Sequence, residues 1–322
     1  MKSLILIGMF LFLVSCSSKV SFQLPMASDN FAQDIKYNKK VDILFIVDNT
    51  YSMGVVQQSI LNQLPYLTKQ LQDLDMDYHI GAVTTSVFKD DPLSGKLIGT
   101  PKYITNKDKN LNELLKSKII VGEGGSIIEQ GLDAMTLVLS DDYQKTEGEG
   151  FLRSDSFLNI IALSNEDDQS TNGWTNYAEF LDKLRPNYAD GSKSWAFHFF
   201  GVLSFQDNCS SGDWNYYKSP GFKFLELVNY SKGFSGSLCS NEISKSLTNI
   251  KARIIQVLTD YKLEKLPVIS SISVSVNDHI VPQDSTDGWQ YIEGGNLIRF
   301  YGSAIPAANA TIKVDFKPRE AN

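Results

Sequence analysis

The sequence predicts an α/β fold: a doubly wound, mostly parallel sheet with helices on both faces, followed by a small C-terminal β-rich subdomain. Three observations carry this. Val41-Asp42-Ile43-Leu44-Phe45-Ile46-Val47 is a nearly unbroken β-branched and apolar run, the signature of a strand buried on both faces. Runs of this kind alternate with segments of helical spacing as far as Tyr261. Beyond Leu266-Pro267 the helical period vanishes, and short alternating segments between Gly, Pro and Asn take its place.

The elements follow in order. Ser52 to Asp75 reads as a helix, with apolar residues at Val55, Val56, Ile60, Leu64, Leu67 and Leu71 and an interruption at Pro65. Tyr78 to Val87 reads as a strand, Lys96 to Thr105 as a hairpin-like segment and Leu111 to Ile119 as a helix. Ser126 to Leu139 has helical spacing at Ile127, Ile128, Leu132, Met135, Val138 and Leu139. Glu147-Gly148-Glu149-Gly150 is a loop, and Phe157 to Ser164 and Trp195 to Leu203 are strands. Asn176 to Leu184, Phe222 to Ser231 and Ile243 to Tyr261 are helices. Ile269 to Val276, Gly288 to Glu293, Asn296 to Tyr301 and Ala310 to Phe316 are the short strands of the C-terminal part.

Composition excludes several classes. Of 322 residues, 42% are hydrophobic and 21% charged, which is ordinary globular usage. The net charge of -7 provides no basic face for phosphates, so nucleic acid is not an expected partner. His79, His198 and His279 are far apart, which argues against a His-rich zinc site.

The N-terminus reads as a leader. Leu4 to Val14 is an apolar run of signal-peptide length after Lys2, shorter than the roughly 20 residues a membrane span needs. It ends in Leu13-Val14-Ser15-Cys16, a string that resembles the lipobox of bacterial lipoproteins. That resemblance implies cleavage before Cys16, lipidation of its thiol and, with Ser17 following, an outer-membrane address; the lipid is then the only membrane contact. A buried N-terminal element with a chance Cys is the alternative. Residues 1–15 are thus a signal peptide, 16–39 a lipidated tether, 40–264 the α/β domain and 265–322 the β-rich subdomain. Cys209 and Cys239 are left as a pair for a disulfide in an oxidising compartment, worth ~3–4 kcal/mol, with two free thiols as the alternative.

Three polar segments fall at strand ends, where ligands of open α/β sheets bind. They are Asp48-Asn49-Thr50-Tyr51-Ser52, then Gly124-Gly125-Ser126 opening a helix, and Ser164-Asn165-Glu166-Asp167-Asp168. Each alone is also what a helix N-cap requires. Together they form an oxygen-only donor set of the kind hard divalent cations prefer.

The order Asp-x-Thr-x-Ser, Gly-Gly-Ser, then an acidic run after a later strand resembles the von Willebrand factor A domain. The resemblance covers about residues 40 to 262. It implies a metal-ion-dependent adhesion site at Asp48, Thr50, Ser52 and Ser126, with Asn165 where the family has an Asp. Mg²⁺ is the expected cation, with Mn²⁺ or Ca²⁺ as alternatives, and Glu166, Asp167 and Asp168 are further acidic candidates. The Gly288-Trp289-x-Tyr291 string and Ile305-Pro306 resemble the tail of bacterial lipoproteins that carry this domain. The functional expectation is a lipid-anchored envelope adhesion module, binding a protein that presents an acidic side chain. A scaffold lipoprotein with a degenerate site is the alternative. A metal-dependent hydrolase is disfavoured, since the His-Glu-x-x-His, Gly-x-Ser-x-Gly, P-loop and dinucleotide patterns are absent, and no small-molecule substrate is expected.

Overall fold

The computed structural model describes residues 31–36, 40–62, 76–187, 193–207, 219–238, 260–306 and 310–319. The leader, Cys16, Cys209 and Cys239 lie outside these residues, as do most of 63–75 and all of 239–259.

The principal sheet has six strands: β2 Lys40–Val47, β3 Asp77–Thr84, β4 Tyr103–Thr105, β5 Phe157–Ser164, β6 Trp195–Gly201 and β7 Ser235–Ser237. Their order is β4-β3-β2-β5-β6-β7, all parallel except β4 against β3. The chain moves outward from β2 to β3 and β4, then returns to β5 on the opposite side of β2. The β2–β5 seam is therefore the topological switch point, where the carboxyl ends of adjacent strands diverge and leave a crevice.

Helices cover both faces: α1 Gly54–Leu61, α2 Leu111–Ile119, α3 Gly131–Leu139, the short α4 Asp141–Gln144, α5 Trp174–Leu184 and α6 Phe222–Ser231. The pleat of β2 separates two cores. Val41, Ile43, Phe45 and Val47 face Met53, Val56 and Ile60 near α1, and Leu111, Leu115 and Ile119 of α2. Leu44 and Ile46 face Leu132, Met135 and Val138 of α3, with α5 and α6 alongside. Asp42 interrupts this second face and is buried. Arg153 grips it with its backbone N–H at 2.7 Å and its Nε at 2.8 Å, and Arg185 lies 3.6 Å away.

A third core holds the C-terminal part together, including Tyr261, Val274, Trp289, Ile298, Phe300, Ile312 and Val314. Its strands are β8 Asp260–Lys262, β9 Ser273–Val276, β10 His279–Ile280, β11 Trp289–Ile292, β12 Leu297–Phe300 and β13 Thr311–Phe316. They form two antiparallel sheets, β11-β12-β8 and β1-β13-β9-β10, where β1 is Phe31–Lys36.

The structure revises four expectations. Residues 31–36, read as tether, form a strand whose backbone pairs antiparallel with β13 from Phe31↔Phe316 to Lys36↔Thr311. Tyr261, expected in a helix, lies in β8 and pairs with Ile298. The helix expected from Ser52 begins with a 3₁₀ turn over Tyr51–Met53 and becomes α-helical at Gly54. The helix expected from Ser126 starts only at Gly131, because residues 126–130 form a loop tied to the sheet edge: Gln130 N–H donates to Thr85 O at 2.7 Å and Gln169 N–H donates to Glu129 O at 2.6 Å.

Candidate functional site

The loop after β2 folds back on its own carboxylate. Asp48 is fully buried, and its Oδ1 accepts from Thr50 N–H at 2.8 Å and Thr50 Oγ1 at 2.7 Å. This short-range turn follows from the Asp-x-Thr spacing alone. Thr50 Oγ1 lies 3.2 Å from Ser52 Oγ, which donates to Asn165 Oδ1 at 3.4 Å. Asp48, Thr50, Ser52 and Asn165 are thus brought together across the switch point by β2, β5 and the turn into α1.

Longer-range bonds fix the loops around them. Gly125 N–H donates to Asn49 O at 2.8 Å. Gln57 of α1 donates from Nε2 to Asp48 O at 3.1 Å and Gly122 O at 2.9 Å, and its Oε1 accepts from Val121 N–H. Nothing in the local sequence singles out this glutamine.

Ser126 Oγ accepts from Ile128 N–H at 3.0 Å within its own loop. A second residue of that loop, Glu129, reaches the site and is 1% exposed. Ser164 Oγ lies 2.9 Å from Glu129 Oε2 and 3.0 Å from Asp48 Oδ2. Burial first, then the neighbouring charges of Asp48 and Glu166, push the Glu129 carboxyl up to about 10. Reading residues 126–139 as one helix hides Glu129, since an acidic residue in a first helical turn is unremarkable.

The acidic run divides its work. Asp168 accepts from Leu132 N–H at 3.1 Å and Ser170 N–H at 3.0 Å, and pairs with Lys223 at 3.7 Å. Burial raises its carboxyl above the usual range, against the pull of these donors. Asp167 Oδ1 accepts from the N–H groups of Asp168 and Lys223, both at 2.9 Å. These two aspartates position α3 and α6. Glu166 is the member whose charge bears on Glu129.

The residues present suit a hard cation. At this edge four buried polar atoms have no hydrogen-bond partner among the described residues: Asn49 Oδ1, Thr84 Oγ1, Thr85 Oγ1 and Glu129 Oε1. The surrounding donors are carboxylate, hydroxyl and amide oxygens. No group of three or more His, Cys, Asp or Glu with metal-binding geometry occurs among the described residues, so hydroxyl and amide oxygens would have to complete any coordination shell.

Apolar side chains stand around this edge. Tyr51 (69% exposed), Ile127 (86%) and Phe205 (68%) are the most exposed of them, and Phe88, Ile128 and Phe222 are also exposed. All sit in loops at the carboxyl end of the sheet or at the start of α6, and the Phe205 and Phe222 rings meet edge-on at 5.7 Å. The histidines lie elsewhere: His79 Nδ1 is 2.9 Å from Phe151 O, His198 Nε2 is 2.7 Å from Asn159 Oδ1, and His279 is exposed.

No family model matches the chain, and no curated protein matches it. Among solved structures it is similar to a von Willebrand factor type A protein from Catenulispora acidiphila, at 11% identity and TM-score 0.40, covering 88% of this chain and 59% of that one. It is also similar to proximal thread matrix protein 1 from the mussel byssus, at 13% identity and TM-score 0.40, covering 67% and 48%. A third is the pilus adhesin SpaC from Lactobacillus rhamnosus GG, at 12% identity and TM-score 0.37, covering 88% and 40%. The chain thus spans less than two thirds of the length of each of these proteins.

Proposed function

We propose that this protein is a lipid-anchored binding module of the bacterial cell envelope, which recognises a protein partner through a divalent cation at the carboxyl edge of its sheet. The observation that carries this is the fan of oxygens from Asp48, Thr50, Ser52 and Asn165 at the switch point, surrounded by exposed Tyr51, Phe88, Ile127, Phe205 and Phe222. A buried carboxylate with no Lys, Arg or His beside it among the described residues needs compensation, and a cation supplies it. Asp48, Thr50, Ser52 and Asn165, with Ser126 from the loop before α3, would hold Mg²⁺, or alternatively Mn²⁺ or Ca²⁺. Bound there, the ion would offer a positive point to an acidic side chain of the partner.

One carboxylate–metal contact gives little affinity, so the apolar rim is the expected source of the rest. Exposed aromatic and branched side chains around a polar centre are the composition of an interface core. The reading assigns no catalytic residue to the chain. Asn165, an amide where the family has a carboxylate, favours one rival, an envelope scaffold whose cation site is degenerate.

The test is calorimetric titration of the full chain with Mg²⁺, Mn²⁺ and Ca²⁺, followed by partner capture from envelope extracts with and without chelator. Metal-dependent capture that Asp48→Ala abolishes is the expected result. Wild-type protein that binds none of the three ions at millimolar concentration would leave the scaffold reading in its place.

A further inference from the structure

We infer that Glu129 is a second carboxylate of the cation site and supplies, from a different loop, the negative charge that Asn165 does not. This rests on the proposal of a cation beside Asp48. In the acidic run after β5, both oxygens of Asp168 are engaged by Leu132, Ser170 and Lys223, and Asp167 Oδ1 takes the N–H groups of Asp168 and Lys223, so these two side chains are occupied in holding α3 and α6. Glu129 stands instead across Ser164 from Asp48. Its Oε2 is within 2.9 Å of the same hydroxyl that lies 3.0 Å from Asp48 Oδ2.

Three features mark this carboxyl as more than a strut. It is 1% exposed, yet its Oε1 has no hydrogen-bond partner among the described residues. Ser164 has one hydroxyl proton and lies within reach of Asp48 Oδ2, Glu129 Oε2 and Glu166 O, so it can donate to only one of them at a time. The backbone on either side is pinned, through Gln130 N–H to Thr85 O and Gln169 N–H to Glu129 O, so the side chain is held at the site. Two buried carboxyls facing one another without a basic partner among the described residues make an arrangement that a divalent cation relieves.

The experiment uses the full chain and Mn²⁺ as the probe, read by calorimetry and by thermal denaturation with Mn²⁺ or chelator. Glu129→Gln keeps the shape and removes the charge. It is expected to weaken Mn²⁺ binding by roughly 10–100-fold, in line with the loss of a charged group at a metal site. In chelator the same variant should be about as stable as wild type, because the amide keeps the shape and hydrogen-bonding capacity of the uncharged carboxyl. Adding Asn165→Asp to Glu129→Gln should restore most of the binding. Mn²⁺ affinity within about twofold of wild type in Glu129→Gln overturns this inference alone, provided Asp48→Ala still abolishes binding. A loss of affinity that comes with lower stability in chelator, and that Asn165→Asp does not restore, also overturns it and makes Glu129 a strut. Wild type that fails to bind Mn²⁺ overturns the cation site itself.

Discussion

Single side chains decide whether the switch point holds charge. Asp48 is the one carboxylate among the residues that the sequence motif assigns to the cation, and Thr50 and Ser52 contribute only neutral oxygens. Asp48→Ala should therefore lose most cation affinity, while Asn165→Asp should gain it. The opposite signs matter, because general destabilisation mimics the first result and not the second; calorimetry on both variants checks the pair. A second residue acts at a distance. Lys118 of α2 is fully buried, and its ammonium donates to the carbonyls of Ile98, Pro101 and Lys102, tying down the chain before β4. Lys118→Met leaves those carbonyls without their donor and should cost roughly 2–4 kcal/mol in denaturant unfolding. Metal affinity should survive that change, since these contacts lie away from Asp48. The i, i+4, i+8 spacing of Leu111, Leu115 and Ile119 already places Lys118 beside the apolar stripe, but only the carbonyls that fold over it explain why a charge is tolerated there.

At the scale of elements, α3 is the part whose placement the site depends on. Gly131 lets the helix approach β2 closely: a Cβ there would stand 2.8 Å from Ile46 Cγ2 and 3.2 Å from Thr85 Cγ2. Gly131→Ala gains helix propensity but forces the helix outward, so a net loss of about 1–3 kcal/mol is expected. Because Glu129 precedes this glycine by one turn residue, the same variant should also weaken Mn²⁺ binding. Denaturation and calorimetry read the two effects separately, and an alanine variant more stable than wild type would contradict the close approach. The start of α3 was not legible in the sequence. Ile127 and Ile128 continue its apolar period backwards, yet the helix stops short of them because Gln130 and Glu129 are committed to the sheet edge. Those two isoleucines, placed by periodicity inside the fold, are exposed at the site.

For the whole molecule, the N-terminal segment is the consequential finding. β1 closes one side of the C-terminal sheet against β13, so chain that precedes the α/β domain is stitched to chain that follows it. Deleting residues 1–36 should leave β13 as an edge strand paired only with β9, speed amide exchange across Thr311–Phe316 and lower the melting temperature. Unchanged exchange there would argue against the pairing. Anchoring is a separate prediction. No helix among the described residues is long and apolar enough to cross a membrane, so on the lipoprotein reading Cys16→Ser should release the protein from the membrane fraction. Retention of that variant after a salt wash would contradict the anchor.

The central strands, the helices that alternate with them and the first loop of the site are legible in the sequence. A strand buried on both faces must be written as a continuous apolar run, as in Lys40–Val47 and Phe157–Ser164. The Asp48–Thr50 turn closes over two residues, so local chemistry suffices. Tertiary structure alone decided the partners of that loop. Ser164 meets Asp48 across 116 positions and Glu129 across 35, and β1 finds β13 at the far end of the chain. Such contacts leave no periodicity behind. A glutamate bound for a buried site and one bound for solvent look alike until the sheet edge, by taking up the neighbouring N–H groups, stops the helix and turns one of them inward.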